Sequence, residues 1–132
     1  MEPGRASSSL AQLRRGVLEH CVLALLRAEE LYSLDLVRRL AEASGQGVSE
    51  GTLYPLLSRL RKEGRVSTSW RESSSGPPRR YYALTEDGAT ALTAFTAEWR
   101  DFTASVDALL ATAEQQPGAA DPTDPTPPRR TS

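Results

Sequence analysis

The chain has 132 residues, with 16 Lys+Arg against 17 Asp+Glu, one His and one Cys. That length suits one domain with an appendage. A formal net charge of −1 and a pI near 5.9 argue, taken whole, against a strongly basic nucleic-acid binder. The single cysteine, Cys21, excludes an intramolecular disulfide framework and suits a reducing cytoplasm. No apolar run approaches the roughly 20 residues of a membrane span, and the first residues lack the apolar stretch of a signal peptide. A cytoplasmic location is therefore expected.

Residues 1–9 include Pro3, Gly4 and three serines, have little to bury and read as disordered. In residues 10–28, Val17, Leu18, Cys21, Val22, Leu25 and Leu26 recur at helical period, which predicts a first helix with Cys21 filling core beside Val17 and Leu25. Ser33 can cap a second helix whose apolar positions are Leu34, Leu36, Val37, Leu40 and Ala41. Ser44-Gly45-Gln46-Gly47 ends it. Ser49 can cap a third helix running to about Glu63 and stopped by Gly64, with Leu53, Leu56, Leu57 and Leu60 on one face. Pro55 inside that helix removes a backbone hydrogen bond, so either the helix starts near Thr52 or its first turn is distorted.

Residues 66–71 and 79–84 then read as two strands of a β-hairpin, and residues 72–78 as a Ser/Gly/Pro loop too long for a tight turn. Tyr81 and Tyr82 point to opposite faces of their strand, one to the core and one outward; the pattern does not say which. Thr85 can cap a fourth helix, with Glu86 and Asp87 suiting its dipole. Along it Leu92, Phe95, Trp99, Phe102, Val106 and Leu109 alternate spacings of 3 and 4, a heptad seam. So long a helix with one narrow stripe exceeds what the small domain before it can cover. A second copy of the chain is the expected partner, with packing on the first helix as the alternative. Residues 117–132, with five prolines and no large apolar side chain, read as a disordered tail.

Three helices followed by a two-stranded hairpin is the order of a winged helix-turn-helix, a mainly α (α+β) fold. The expected organisation is a disordered 1–9, a winged-helix domain 10–84, a dimerisation helix 85–116 and a tail 117–132. In such a fold the third helix enters the major groove. Its non-leucine face holds Gly51, Tyr54, Pro55, Ser58, Arg59 and Lys62, with Ser49 and Thr52 at its start as phosphate-binding hydroxyls. Gly76-Pro77-Pro78-Arg79-Arg80 adds two guanidiniums to a stiffened wing, placed for phosphate or minor groove.

The run Ser49-Glu50-Gly51-Thr52-Leu53-Tyr54-Pro55-Leu56-Leu57, followed by Arg59-Leu60 and Glu63-Gly64, closely resembles the recognition helix of PadR-family transcriptional regulators. The Trp70 strand, Gly76-Pro77-Pro78-Arg79-Arg80-Tyr81-Tyr82 and Leu84-Thr85 resemble that family's wing, and Glu98-Trp99-Arg100 its C-terminal helix. Leu31-Tyr32-Ser33-Leu34-Asp35-Leu36 is similar to the start of its second helix, with Ser33 and Leu34 where a glycine and an aromatic residue are usual. The resemblance implies a homodimeric DNA-binding protein of the small C-terminal subgroup, usually a repressor on a palindromic operator. Some relatives bind a planar aromatic effector, for which Phe95, Trp99 and Phe102 are the candidate residues here, with packing along the seam as the alternative reading of the same aromatics.

Other classes fit less well. His20 and Cys21 are adjacent on a helix and diverge by about 100°, a poor nucleophile–base pair and a thin metal-ligand set. No enzyme, cofactor or metal site is expected. A protein-interaction adaptor would use the same fold, but it has no reason to keep both the third helix and the wing basic. The charge itself is partitioned: residues 10–84 carry 12 basic and 8 acidic side chains, and residues 85–116 carry one Arg and six acids. The near-zero total therefore averages a basic half and an acidic helix.

Overall fold

The structure, a computed structural model, describes residues 3–44 and 48–115. The Gly45-Gln46-Gly47 end of the second helix and the tail at 117–132 lie outside the described residues. Helix α1 spans Pro3–Ala28, so residues 3–9 are helical where disorder was expected. Proline at a first helical position has its φ already set and gives up no hydrogen bond there. Among the side chains of α1 that are described, Val22, Leu23 and Leu26 are buried, with Leu18 and Leu25 half-buried beside them. Cys21, expected in the core, is exposed. The buried stripe lies one residue further round the helix, and Leu23 takes the inward place.

A two-residue strand, β1 (Leu31–Tyr32), comes before α2 (Ser33–Ser44). Helix α3 (Glu50–Lys62) buries Leu53, Leu57 and Leu60 completely. It ends in a Schellman turn: Gly64 has φ 78°, Arg65 N–H donates to the Leu60 carbonyl at 2.9 Å, and Gly64 N–H to the Arg61 carbonyl at 3.0 Å. Strands β2 (Val66–Ser73) and β3 (Gly76–Leu84) pair antiparallel, and β1 adds to β3 to give the order β1-β3-β2. The sheet thus has three strands rather than the two read from sequence.

The long loop expected at 72–78 is replaced by a two-residue turn at Ser74 and Ser75. Pairing runs from Val66↔Leu84 to Arg71↔Arg79, then shifts to Ser73↔Gly76. Pro77 and Pro78 fall in that shift, where a bulge accommodates residues with no N–H to give a ladder.

Helix α4 (Glu86–Glu114) starts under Thr85, whose Oγ accepts from Gly88 N–H at 3.0 Å and donates to the Gly64 carbonyl at 2.6 Å. Gly88 is buried there, and a Cβ on it would stand 2.1 Å from the Arg65 carbonyl oxygen. The described residues divide into two units, with the boundary between Phe95 and Thr96. The boundary expected at residue 85 therefore moves into α4, because Leu92 is only 5 % exposed and belongs to the first unit's core. That core joins α1, β1, α2, α3, Val66 of β2, Tyr82 of β3 and Leu92.

The second unit is described over residues 96–115. There Phe102, Leu109 and Leu110 are exposed by 58 %, 71 % and 58 %, and Trp99 by 39 %. The hydroxyls of Thr103, Ser105 and Thr112 turn back onto carbonyls four residues earlier, at 2.9, 3.1 and 3.0 Å. Among the described residues no helix is long and apolar enough to cross a membrane.

Candidate nucleic-acid interface

With Leu53, Leu57 and Leu60 facing the core, the 3.6-residue period divides the rest of α3 into an outward face and two flanks. The outward face carries Gly51, Pro55, Ser58 and Lys62, all exposed. One flank carries Tyr54 and Arg61, the other Thr52, Arg59 and Glu63. The helix does begin at Glu50 despite Pro55. Pro55 has no N–H for the Gly51 carbonyl, so that acceptor lacks its donor four residues on.

The two hydroxyls expected to hold phosphate are engaged in the cap. Ser49 Oγ accepts from Thr52 N–H at 3.2 Å and donates to Thr52 Oγ1 at 3.2 Å. Arg59, expected on the DNA face, instead donates to Glu19 of α1 at 2.7 Å and also lies 4.0 Å from Glu63. Glu19's other carboxylate oxygen accepts from Arg65 at 2.8 Å. One carboxylate thus ties α1 to Arg59 of α3 and to Arg65, just beyond the end of that helix. Tyr54 is 47 % exposed, and its phenol is bonded to Ser33 Oγ at 2.9 Å and to Glu50 Oε2 at 3.3 Å. Among the described residues Arg61 and Lys62 have no acidic partner within ion-pair distance.

The hairpin separates its two arginines. Successive strand residues face opposite ways, so Arg80 shares a face with Val66, Trp70 and Tyr82, while Arg79 shares the other with Arg71 and Tyr81. The Arg80 guanidinium lies 4.9 Å from the Trp70 ring centroid. That of Arg79 lies 4.5 Å from Tyr32, and Arg71 sits 4.4 Å from Tyr81. Arg71 is also ion-paired with Glu30. Tyr82 is the core tyrosine and Tyr81 the outward one. Trp70, 63 % exposed, gives the wing a broad apolar surface under a cation.

The seam residues split similarly. Leu92 is in the core of its own chain, and Phe95 stacks on His20 with centroids 3.7 Å apart and planes 5° from parallel. Both were expected at a dimer interface, and Phe95 also in an aromatic ligand set; intrachain packing takes them first. In the second unit the Trp99 and Phe102 rings lie 6.4 Å apart, and Val106 is half-buried. Although Cys21 is exposed, partial desolvation by its neighbours holds its thiol above the ordinary pKa, the direction opposite to an activated thiolate.

Two acids escape the sequence reading. Glu50 and Tyr54 stand four residues apart on one helix, a spacing that does announce a side-chain contact. Glu19 and Arg59 are 40 residues apart, and nothing local announces that pair.

Residues 22–94 match the sequence profile of the transcriptional regulator PadR-like family. A PadR family transcriptional regulator from Eggerthella lenta is 37 % identical, with 81 % of this chain and 93 % of that chain covered and a TM-score of 0.74. A PadR-like transcriptional regulator from Bacillus cereus is 38 % identical over 75 % of this chain and 96 % of its own, with a TM-score of 0.70. A PadR-like transcription factor from Bacteroides fragilis is 41 % identical over 77 % and 98 %, with a TM-score of 0.66.

Proposed function

Because this chain belongs to the PadR-like family of DNA-binding transcriptional regulators, we propose that it is a homodimeric repressor reading a palindromic operator. The observation that carries the reading is the outward face of α3. It is exposed and small at Gly51, polar at Ser58, and bears cations at Lys62 and neighbouring Arg61 with no acidic partner among the described residues. Arg79 and Arg80 on the wing contact flanking phosphate, with Arg80 on the helix-facing side making the larger contribution. Tyr54 lines the major-groove contact, and Ser49 and Thr52 act through the cap that orients the first turn.

The self-contact runs through Trp99, Phe102, Val106 and Leu109, joined by Leu110. Burying such side chains stabilises by about 1.5–3 kcal/mol each. A twofold dimer sets two recognition helices one DNA turn apart, roughly 34 Å. Bound at a promoter, it occludes it in the cytoplasm. A planar aromatic effector stacking on Trp99 and Phe102 shifts a pre-existing equilibrium between dimer arrangements and releases the operator.

Binding-site selection on random duplexes with the full chain tests this. The expected result is an enriched palindrome, with the salt slope of binding flattened by about one counterion unit when Arg80 is replaced by Ala. No enriched sequence would favour the adaptor reading. An unchanged salt slope in both Arg79→Ala and Arg80→Ala would remove the wing from the interface.

A further inference from the structure

The first turn of α3 is short of phosphate-binding groups and rich in acceptors. A helix N-terminus ordinarily offers free amides and a positive dipole end to an anion. Here Ser49 Oγ takes the Thr52 amide, and Glu50 places a carboxylate at the first helical position. The Gly51 carbonyl has lost its usual donor to Pro55.

The hydrogen bonds around Glu50 run one way. An ionised carboxylate only accepts, so the Tyr54 phenol donates its one proton to Glu50 Oε2. The Ser33 hydroxyl, 2.9 Å from the phenol oxygen, must then donate to Tyr54. The chain Ser33→Tyr54→Glu50 fixes one carboxylate oxygen and leaves Oε1 to accept from outside. Among the described residues no cation pairs with Glu50. Beside DNA phosphates such a carboxylate is repelled unless a donor meets it, so its presence selects the sequences that supply one.

We infer that Glu50 is a specificity residue whose carboxylate accepts the N4 amino group of a cytosine in the major groove, with Tyr54 and Ser33 as the positioning residues that hold it. This rests on the DNA-reading role of α3 proposed above. Residues at the start of a recognition helix contact base edges. The major-groove donors are cytosine N4 and adenine N6. The adenine amino group lies between two acceptors, N7 of its own ring and O4 of the paired thymine. The cytosine amino group has one acceptor neighbour, O6 of the paired guanine. A carboxylate therefore favours the C·G pair.

The test is binding-site selection with the full chain as wild type, Glu50→Ala, Glu50→Gln, Tyr54→Phe and Ser33→Ala, each checked for native helix content. Wild type is expected to favour one C·G pair in each half-site by about 5- to 10-fold, within the range of a good side-chain–base contact. Glu50→Ala loses that preference and keeps the others along with the salt slope. Glu50→Gln turns the same position toward adenine, whose N7 and N6 match an amide. Ser33→Ala lowers the preference at that position alone, and Tyr54→Phe lowers it there together with any contact the Tyr54 phenol itself makes in the groove. The inference is overturned if Glu50→Ala and Glu50→Gln keep the wild-type preference, or if Glu50→Ala binds every sequence more tightly with no change in selectivity. A wild-type chain that enriches no sequence overturns the DNA-reading role itself, and this inference with it.

Discussion

Leu92 and Phe102 sit on the same heptad seam of one helix and meet opposite environments. Leu92 is 5 % exposed in the core of the first unit, and Phe102 is 58 % exposed in the second. The period of a seam says that a helix has a partner; it does not say whose chain supplies it. At the start of α4 the partner is the chain's own α1 and its companions, held close by Thr85 and Gly88. At its end Phe102, Leu109 and Leu110 are exposed, and the proposed self-contact would cover them.

The largest effect is expected where the first half is pinned. Gly88→Val puts a side chain 2.1 Å from the Arg65 carbonyl oxygen and 2.7 Å from Leu84 Cδ1, and the backbone contact cannot give way as a side-chain tip can. Overpacking of this kind costs about 3 kcal/mol or more, enough to unfold much of a domain of ordinary stability. Urea denaturation followed by circular dichroism measures it; a near-native midpoint would show that α4 does not need this close approach.

Leu92→Ala comes next, at about 2–5 kcal/mol in the same assay, as for other buried leucines. The folded fraction should associate as the wild type does. Phe102→Ala with Leu109→Ala inverts the pattern. Unfolding of the isolated chain should change by less than about 0.5 kcal/mol, while self-association measured by sedimentation weakens about 100-fold or more, each lost side chain counting in both copies. Equal behaviour of the two variants in either measurement would erase the distinction between the halves of α4.

How much was legible follows the range of the interaction. Ser49, Gly64 and Thr85 were readable because capping and left-handed turns are decided within a few residues. The leucines of α3 were readable because a helix repeats its inward face. Strand β1 was not: two residues carry no period, and Leu31 and Tyr32 become a strand only because β3 lies beside them. Pro77 and Pro78 suggested a loop, yet the register shift lets the strand pass through them. Cys21 and Leu23 differ by two positions on a broadly apolar helix, so tertiary packing chose between them. At the candidate interface, the basic character of α3 was plain, but the acid that engages its Arg59 is Glu19, 40 residues away.

That last pair gives the smallest predicted effect and the finest resolution of what belongs to the fold and what is left for a partner. Glu19→Gln removes the charge that both Arg59 and Arg65 approach, at 2.7 and 2.8 Å. Arg59 is about half exposed, so solvent screens the loss, and about 1 kcal/mol of stability is expected. The same change releases the Arg59 guanidinium from α1. It can then reach phosphate, so nonspecific DNA affinity should rise a few-fold and its salt dependence should steepen by up to about one counterion unit. Removing an acid near DNA raises affinity in any case, so the decisive comparison is Glu19→Gln with and without Arg59→Ala. If Arg59 is the group released, the double variant loses the added salt slope. If the slope stays raised, Arg59 remains on the α1 flank without its partner, and the helix surface rather than the ion pair sets its direction.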